Sequence, residues 1–171
     1  LGDVYKRQHH DPAATGGVMV FARSAAAASI LSGQVRDHRF RKIYLAVVRG
    51  DPGQGGIWRD MLGRDPVRRV TYIAREPGKD VRPAELSYET LAVREGLSLV
   101  RVTLHTGRTH QIRVQFSSRG LPLMGDIRYG SKADCSPALW STRLALTHPV
   151  TGKPIDVACP PPDAWPWNLF A

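Results

Sequence analysis

The sequence is poor in cysteine and in long apolar runs. Its 171 residues include two cysteines, Cys135 and Cys159, and neither belongs to a CxxC pair or to a His/Cys cluster with zinc-ligand spacing. We therefore expect two free thiols in a reducing cytoplasm, with no metal site and no disulfide framework. No stretch approaches the roughly 20 apolar residues that a membrane-spanning helix needs, so we expect no membrane partner.

Acidic residues are also scarce. Lys and Arg number 24 against 15 Asp and Glu, which gives a formal charge of +9. A basic balance of this kind favours a polyanionic partner, and nucleic acid is favoured over a membrane surface because no basic amphipathic helix stands out. Composition alone leaves open a protein that is merely basic. The length suits one domain with a real core.

Short apolar segments separated by turn residues dominate the chain. One helix is predicted over residues 25–38, after the N-cap residue Ser24, and a short one around Ile112 and Phe116, capped by Thr106 or Thr109. Residues 58–66 look polar and irregular. The predicted strands are residues 18–23, 41–48, 67–75, 84–94, 97–105, 143–148 and 154–158. This pattern predicts an α+β fold, with a mixed, mainly antiparallel sheet and a few short helices.

The most informative stretch is residues 104–130, LHTGRTHQIRVQFSSRGLPLMGDIRYG. Unpaired buried charge is strongly disfavoured, so cations concentrated among apolar residues indicate a surface that holds an anion. Arg113 falls near the start of the predicted short helix, where the helix dipole adds positive potential. Taken singly, Arg108 and Arg119 fit structural contacts on a solvated face better. The cations of the stretch are His105, Arg108, His110, Arg113, Arg119 and Arg128.

Four segments of the sequence, in this order, resemble the RluA-type RNA pseudouridine synthases. They are Gly17 to Arg23 (GVMVFAR), Lys42 to Val48 (the K-x-Y-L-A segment), the GRTHQIRV and GLPLMGD motifs with Tyr129-Gly130, and the closing hairpin 144–160. The resemblance covers nearly everything from His9 onward. It implies the pseudouridine synthase catalytic fold and the isomerisation of uridine to pseudouridine in structured RNA, either rRNA or tRNA, without a cofactor.

The resemblance also assigns roles to individual residues. Members of the family use one Asp, which attacks or deprotonates the ribose before the N-glycosidic bond breaks and C5 rejoins C1′. By analogy, Arg113 pairs with that Asp and Tyr44 stacks on the base and assists removal of the C5 proton. Ile112 packs near the base. The motif residues implied to bind substrate are Arg108, Thr109, His110, Gln111 and Ile112.

The catalytic aspartate is where the sequence departs from the family pattern. The family reads H-R-L-D before the strand, whereas this chain reads His9-His10-Asp11-Pro12. An ungapped alignment puts Pro12 in the Asp column, one residue after Asp11. We expect Asp11 to be the catalytic Asp, since it is the only acidic candidate there. The alternative is a catalytically impaired RNA-binding domain of the same fold.

The first eight residues, LGDVYKRQ, fit nothing downstream. The string DVYKRQ is also the translation of a transposon-end sequencing adapter, so residues 1–8 are expected to be an artefact or a disordered tail. Residues 9–171 are then the catalytic domain, lacking its N-terminal part, and we expect a cytoplasmic monomer. A weaker hypothesis, an acid–base ribonuclease, would use His105 and His110.

Overall fold

The computed structural model describes residues 15–171, which form an α+β fold as predicted. The strands are β1 (Gly16–Gly17), β2 (Arg41–Arg49), β3 (Gly55–Asp65), β4 (Val70–Ile73), β5 (Arg82–Arg94), β6 (Leu97–Leu104), β7 (Leu139–Thr147) and β8 (Pro154–Ala158). The helices are α1 (Ala25–Arg36), α2 (Gln111–Ser117) and the 3-10 turns Ile127–Tyr129 and Trp167–Phe170.

Within residues 15–171, the eight strands belong to one sheet. Its order is β1-β7-β2-β6-β5-β3-β4, with β8 also paired to β7. Every strand pair is antiparallel except β1 with β7. The mainly antiparallel sheet that the strand pattern predicts is therefore confirmed, and β2 and β6 lie at its centre.

Both α-helices pack on the same face of the sheet. Ile112 and Phe116 of α2 join Tyr44 of β2 in the largest buried cluster. Leu31 of α1 packs with Leu144, which lies directly opposite Lys42 on β2. Lys42 and Tyr44 are two residues apart on one strand and share a face, so the two helices flank the same strip of β2.

Helix α1 begins and docks through side-chain contacts with backbone groups. Ser24 has extended backbone angles and accepts a hydrogen bond from the N–H of Ala27 at 3.1 Å, as an N-cap residue should. The buried amide of Gln34 donates to the carbonyl of Thr147 at 2.7 Å and accepts from its N–H at 2.8 Å. These two bonds fix the helix against the end of β7.

Several predictions of local structure were wrong. Of the strand predicted over residues 67–75, only Val70–Ile73 forms β4, and residues 67–69 belong to the turn before it. Residues 18–23 do not form a strand: β1 ends at Gly17, and only the N–H of Val18 continues the pairing, to the carbonyl of Ser141. Residues 58–66, predicted to be irregular, mostly belong to β3, which pairs with β5 over eight residues. Neighbouring strands supply the contacts that make this polar segment extended.

Candidate active site

The segment between β6 and α2 is ordered by the buried side chain of Gln111. Its amide oxygen accepts from the Thr106 hydroxyl at 2.8 Å and from the N–H of Arg108 at 3.0 Å, while its amide N–H donates to the carbonyl of Glu85. The prediction that Thr106 or Thr109 caps α2 was wrong. The N-cap residue is His110, with a left-handed φ of 53° and no side-chain cap.

Arg113 projects from the first turn of α2 into the protein and meets Asp126. Its Nε and Nη2 atoms donate to the two carboxylate oxygens, each at 2.7 Å. The side chains are 5% and 1% exposed. A bidentate Arg–carboxylate fork of this geometry offsets the cost of burying both charges, and it fixes the plane of the guanidinium.

Sequence reasoning assigned no role to Asp126. The available signal was its isolation, because it is the only acidic residue among the cations of residues 104–130. The backbone around it is tightly turned: its carbonyl accepts from the N–H groups of Tyr129 and Ser131, each at 3.0 Å. Gly125 has φ +73°, and a Cβ there would collide with the carbonyl oxygen of Cys135. The turn therefore requires glycine just before the carboxylate.

Tyr129 links three elements around this ion pair. Its hydroxyl accepts from the N–H of Thr71 on β4 at 2.9 Å and is hydrogen-bonded to Nδ1 of His110 at 2.8 Å. Its ring lies 5.0 Å from the Arg113 guanidinium carbon. Burial raises the pKa of Tyr129, so the hydroxyl stays neutral. His110 thus ties the loop before α2 to Tyr129.

Tyr44 lies on β2 beneath α2 and is 3% exposed. It belongs to the same apolar cluster as Ile112, so the structure brings these two predicted site residues together. Burial raises the pKa of Tyr44, and the neighbouring Ser141 side chain opposes this only in part. Tyr44 therefore offers a neutral aromatic hydroxyl at pH 7. On the same strand, burial lowers the pKa of Lys42, whose Nζ lies 5.3 Å from the Phe40 ring centroid.

Two further cations of the stretch, Arg108 and Arg119, contact other parts of the protein. The Nε atom of Arg108 donates to the carbonyl of Pro83 at 2.9 Å, with its side chain exposed. Arg119 pairs with Asp60 at 3.0 Å, and its guanidinium carbon lies 4.3 Å from the Trp58 ring centroid. The structural interpretation of Arg119 is therefore confirmed.

The two histidines of the ribonuclease hypothesis are directed at different partners. Nε2 of His105 lies 3.0 Å from the Ser87 hydroxyl on β5, whereas His110 contacts Tyr129.

Thr109 contributes its carbonyl, which accepts from the Thr71 hydroxyl at 2.9 Å. The catalytic candidate Asp11 lies outside the described residues. Within residues 15–171, no group of three His, Cys, Asp or Glu residues could hold a metal ion.

This arrangement agrees with comparisons to known proteins. Residues 13–118 match the RNA pseudouridylate synthase family. The chain belongs to the RluA-type RNA pseudouridine synthase family. An uncharacterized RNA pseudouridine synthase of Chloroflexus aurantiacus is 37% identical over 152 residues, 86% of this chain and 47% of the relative. Ribosomal large subunit pseudouridine synthase D of Pseudomonas aeruginosa is 33% identical, with 91% of this chain and 52% of the relative aligned.

Solved structures give the same result for the fold. Human RNA pseudouridylate synthase domain containing 1 superimposes with a TM-score of 0.70 at 25% identity, covering 84% of this chain and 64% of the human chain. Human RNA pseudouridylate synthase domain containing 4 superimposes with a TM-score of 0.71 at 21% identity, covering 86% and 68%. The chain spans about half the length of the curated relatives that it matches, from 40% to 52%. In the part of the chain that the structure describes, no helix is long and apolar enough to cross a membrane.

Proposed function

We propose that residues 9–171 are a pseudouridine synthase catalytic domain that isomerises uridine in rRNA or tRNA, as a cytoplasmic monomer and without a cofactor. One observation carries the proposal: a guanidinium, from Arg113, is buried and oriented at the start of α2, one residue from Ile112, which packs with Tyr44. The names of the relatives, several of them ribosomal large subunit pseudouridine synthase D, support RNA as the substrate.

In this mechanism Arg113 orients the catalytic carboxylate, which we assign to Asp11. A guanidinium is a planar fork with five N–H donors, so one arginine can contact two carboxylates at once. Asp126 accepts from Nε and Nη2 and thereby fixes the fork. The positive charge of Arg113 lowers the pKa of a nearby carboxyl, which keeps Asp11 ionised in a site partly closed to water.

The reaction itself needs no external oxidant or reductant. Asp11 attacks or deprotonates the ribose, the bond between N1 and C1′ breaks, and the uracil turns so that C5 bonds to C1′. C5 then loses its proton and N1 gains one, which completes an isomerisation. Tyr44 stacks on the uracil and Ile112 packs beside it, because a base removed from its stack needs an aromatic and apolar platform. The neutral Tyr44 hydroxyl assists transfer of the C5 proton.

A second candidate function is RNA binding without isomerisation. The observation that favours it is the position of Asp11, one residue before the column where the family places its aspartate. This alternative keeps the basic surface and the fold. It predicts RNA binding that weakens as salt rises, with no chemistry on the uridine.

Release of tritium from C5-tritiated RNA separates the two candidates. We expect the chain to release tritium from an rRNA or tRNA pool and Asp11→Asn to release none. Asp163→Asn is a matched control, because Asp163 is an exposed carboxylate near the other end of the chain. Salt-dependent RNA binding with no tritium release by the wild-type chain would reject the synthase and favour the binding domain.

A further inference from the structure

The β3–β4 hairpin ends in an exposed cationic turn, residues 64–69, called here the hairpin arm. Arg64, Arg68 and Arg69 are exposed, and Val67 at the tip is 89% exposed. The arm carries one carboxylate, Asp65, which accepts from the N–H groups of Val67 and Arg68, each at 2.9 Å. Asp65 thus orders the turn, and it lies 3.9 Å from Arg68, the limit of an ion pair. The arm therefore keeps an excess of positive charge.

The arm is joined directly to the candidate active site. Thr71 on β4 donates its backbone N–H to the Tyr129 hydroxyl and its own hydroxyl to the Thr109 carbonyl, just before α2. Arg64 lies directly opposite Thr71 in the β3–β4 ladder, so the two side chains share one face of the sheet. Arg69 is two residues before Thr71, in the turn that leads into β4.

The arginines of the arm differ from three other exposed arginines of the sheet. Three other exposed arginines each pair with a carboxylate on a neighbouring strand, at 2.8, 3.1 and 2.6 Å. These pairs are Arg59–Glu85, Arg101–Glu89 and Arg143–Asp156. In the described residues, no carboxylate other than Asp65 is in ion-pair contact with an arginine of the arm. The positive potential of the arm is therefore not cancelled locally.

The backbone of the arm adds a second observation. Arg69 has a left-handed φ of 55°, a conformation that glycine or asparagine adopts more easily. A charged residue kept at such a position is a reason to look for a use of its side chain. The fully exposed Val67, between Pro66 and Arg68, places an apolar group at the same tip. Cations beside an exposed aliphatic group suit a phosphate backbone with its sugars.

We propose that the hairpin arm binds the phosphate backbone of the RNA that flanks the target uridine. The inference rests on the proposed function, which names RNA as the partner. It adds a contact surface outside the residues that perform the chemistry. Arg64, Arg68 and Arg69 hold phosphates as bidentate forks, and Val67 packs against a ribose or a base. Because the arm adjoins Thr71, it holds the RNA strand where the uridine enters the site.

The test compares two triple variants with the same change in charge. The arm variant is Arg64→Gln/Arg68→Gln/Arg69→Gln, and the control is Arg59→Gln/Arg101→Gln/Arg143→Gln. Binding of a fluorescein-labelled uridine-loop RNA hairpin is measured between 50 and 300 mM salt. We expect the arm variant to bind about 10-fold more weakly at low salt, with a salt slope smaller by about 2. We expect the control to behave much as the wild type does.

Additional variants distinguish failure of the hairpin-arm proposal from failure of the proposed function. A charge-preserving variant, Arg64→Lys/Arg68→Lys/Arg69→Lys, should retain the salt slope, and circular dichroism melting checks that every variant folds. Equal salt slopes for folded arm and control variants would overturn the proposal, whether or not the wild type releases tritium. If the arm variant alone binds RNA more weakly and the wild type releases no tritium, the result would support RNA binding by the hairpin arm and reject the synthase.

Discussion

Two of the Arg–Asp forks within residues 15–171 have nearly the same geometry in opposite surroundings. In Arg113–Asp126 both bonds measure 2.7 Å, and in Arg143–Asp156 they measure 2.7 and 2.6 Å. The side chains of the first pair are 5% and 1% exposed, and those of the second are 53% and 47% exposed. Hydrogen-bond distance alone therefore does not indicate which fork contributes more to stability. What differs is the cost of removing one partner, because only the buried fork would leave a charge without water.

The largest expected effect is on the buried fork. Asp126→Asn removes the buried negative charge that accepts from Nε and Nη2 of Arg113, which should lower the free energy of unfolding by about 3 kcal/mol or more. Urea unfolding followed by circular dichroism measures it. The matched variant Asp156→Asn should change stability little, since water solvates the remaining Arg143. Equal losses in the two variants would show that burial does not distinguish the forks.

A smaller effect is expected one contact away from the buried fork. Tyr129→Phe removes the oxygen that accepts from the buried N–H of Thr71, and an unsatisfied buried donor costs about 1–3 kcal/mol. Urea unfolding measures this loss as well. Tyr72→Phe is the control, because Tyr72 lies on the same strand with a side chain 47% exposed. A Tyr129→Phe protein as stable as the control would mean that another group replaces the lost oxygen.

The smallest effect concerns the exposed fork and pH. Hydrogen bonding from Arg143 lowers the pKa of Asp156 below its usual value of 3.8. The folded protein therefore holds this proton less tightly than the unfolded chain, so the stabilisation exists above about pH 4 and fades as pH falls through the lowered pKa. The stability difference between wild type and Asp156→Asn should shrink in acid and in high salt. A difference that grew on acidification would contradict this sign.

The sequence could predict the parts of the site that lie on regular elements. Ile112 and Phe116 fall one helical turn apart, and α2 places both in the core. The apolar, β-branched run around Tyr44 forms β2 as expected. The resemblance to the synthases supplied the expected roles of Arg113 and Tyr44, which composition and spacing could not.

The partner of Arg113 could not be derived from local pattern. Asp126 is 13 residues further along the chain, and only the turn around Gly125 brings its carboxylate to α2. The extended state of β3 was missed for a similar reason. Asp60 makes this segment look irregular, but it accepts hydrogen bonds from Gln115 and Arg119 of the segment around α2. Tertiary contacts decide the structure at both places.

We propose that the buried fork forms part of a uridine-isomerising site. The most direct test is single-turnover tritium release from C5-tritiated RNA by Arg113→Lys and Arg143→Lys, after circular dichroism confirms that both are folded. Lysine keeps the charge but loses the bidentate fork. We expect a loss of about 100-fold or more for Arg113→Lys, the scale of a positioning defect, and wild-type rates for Arg143→Lys. Equal rates for the two variants, or no release by the wild type, would contradict a role of the buried fork in isomerisation.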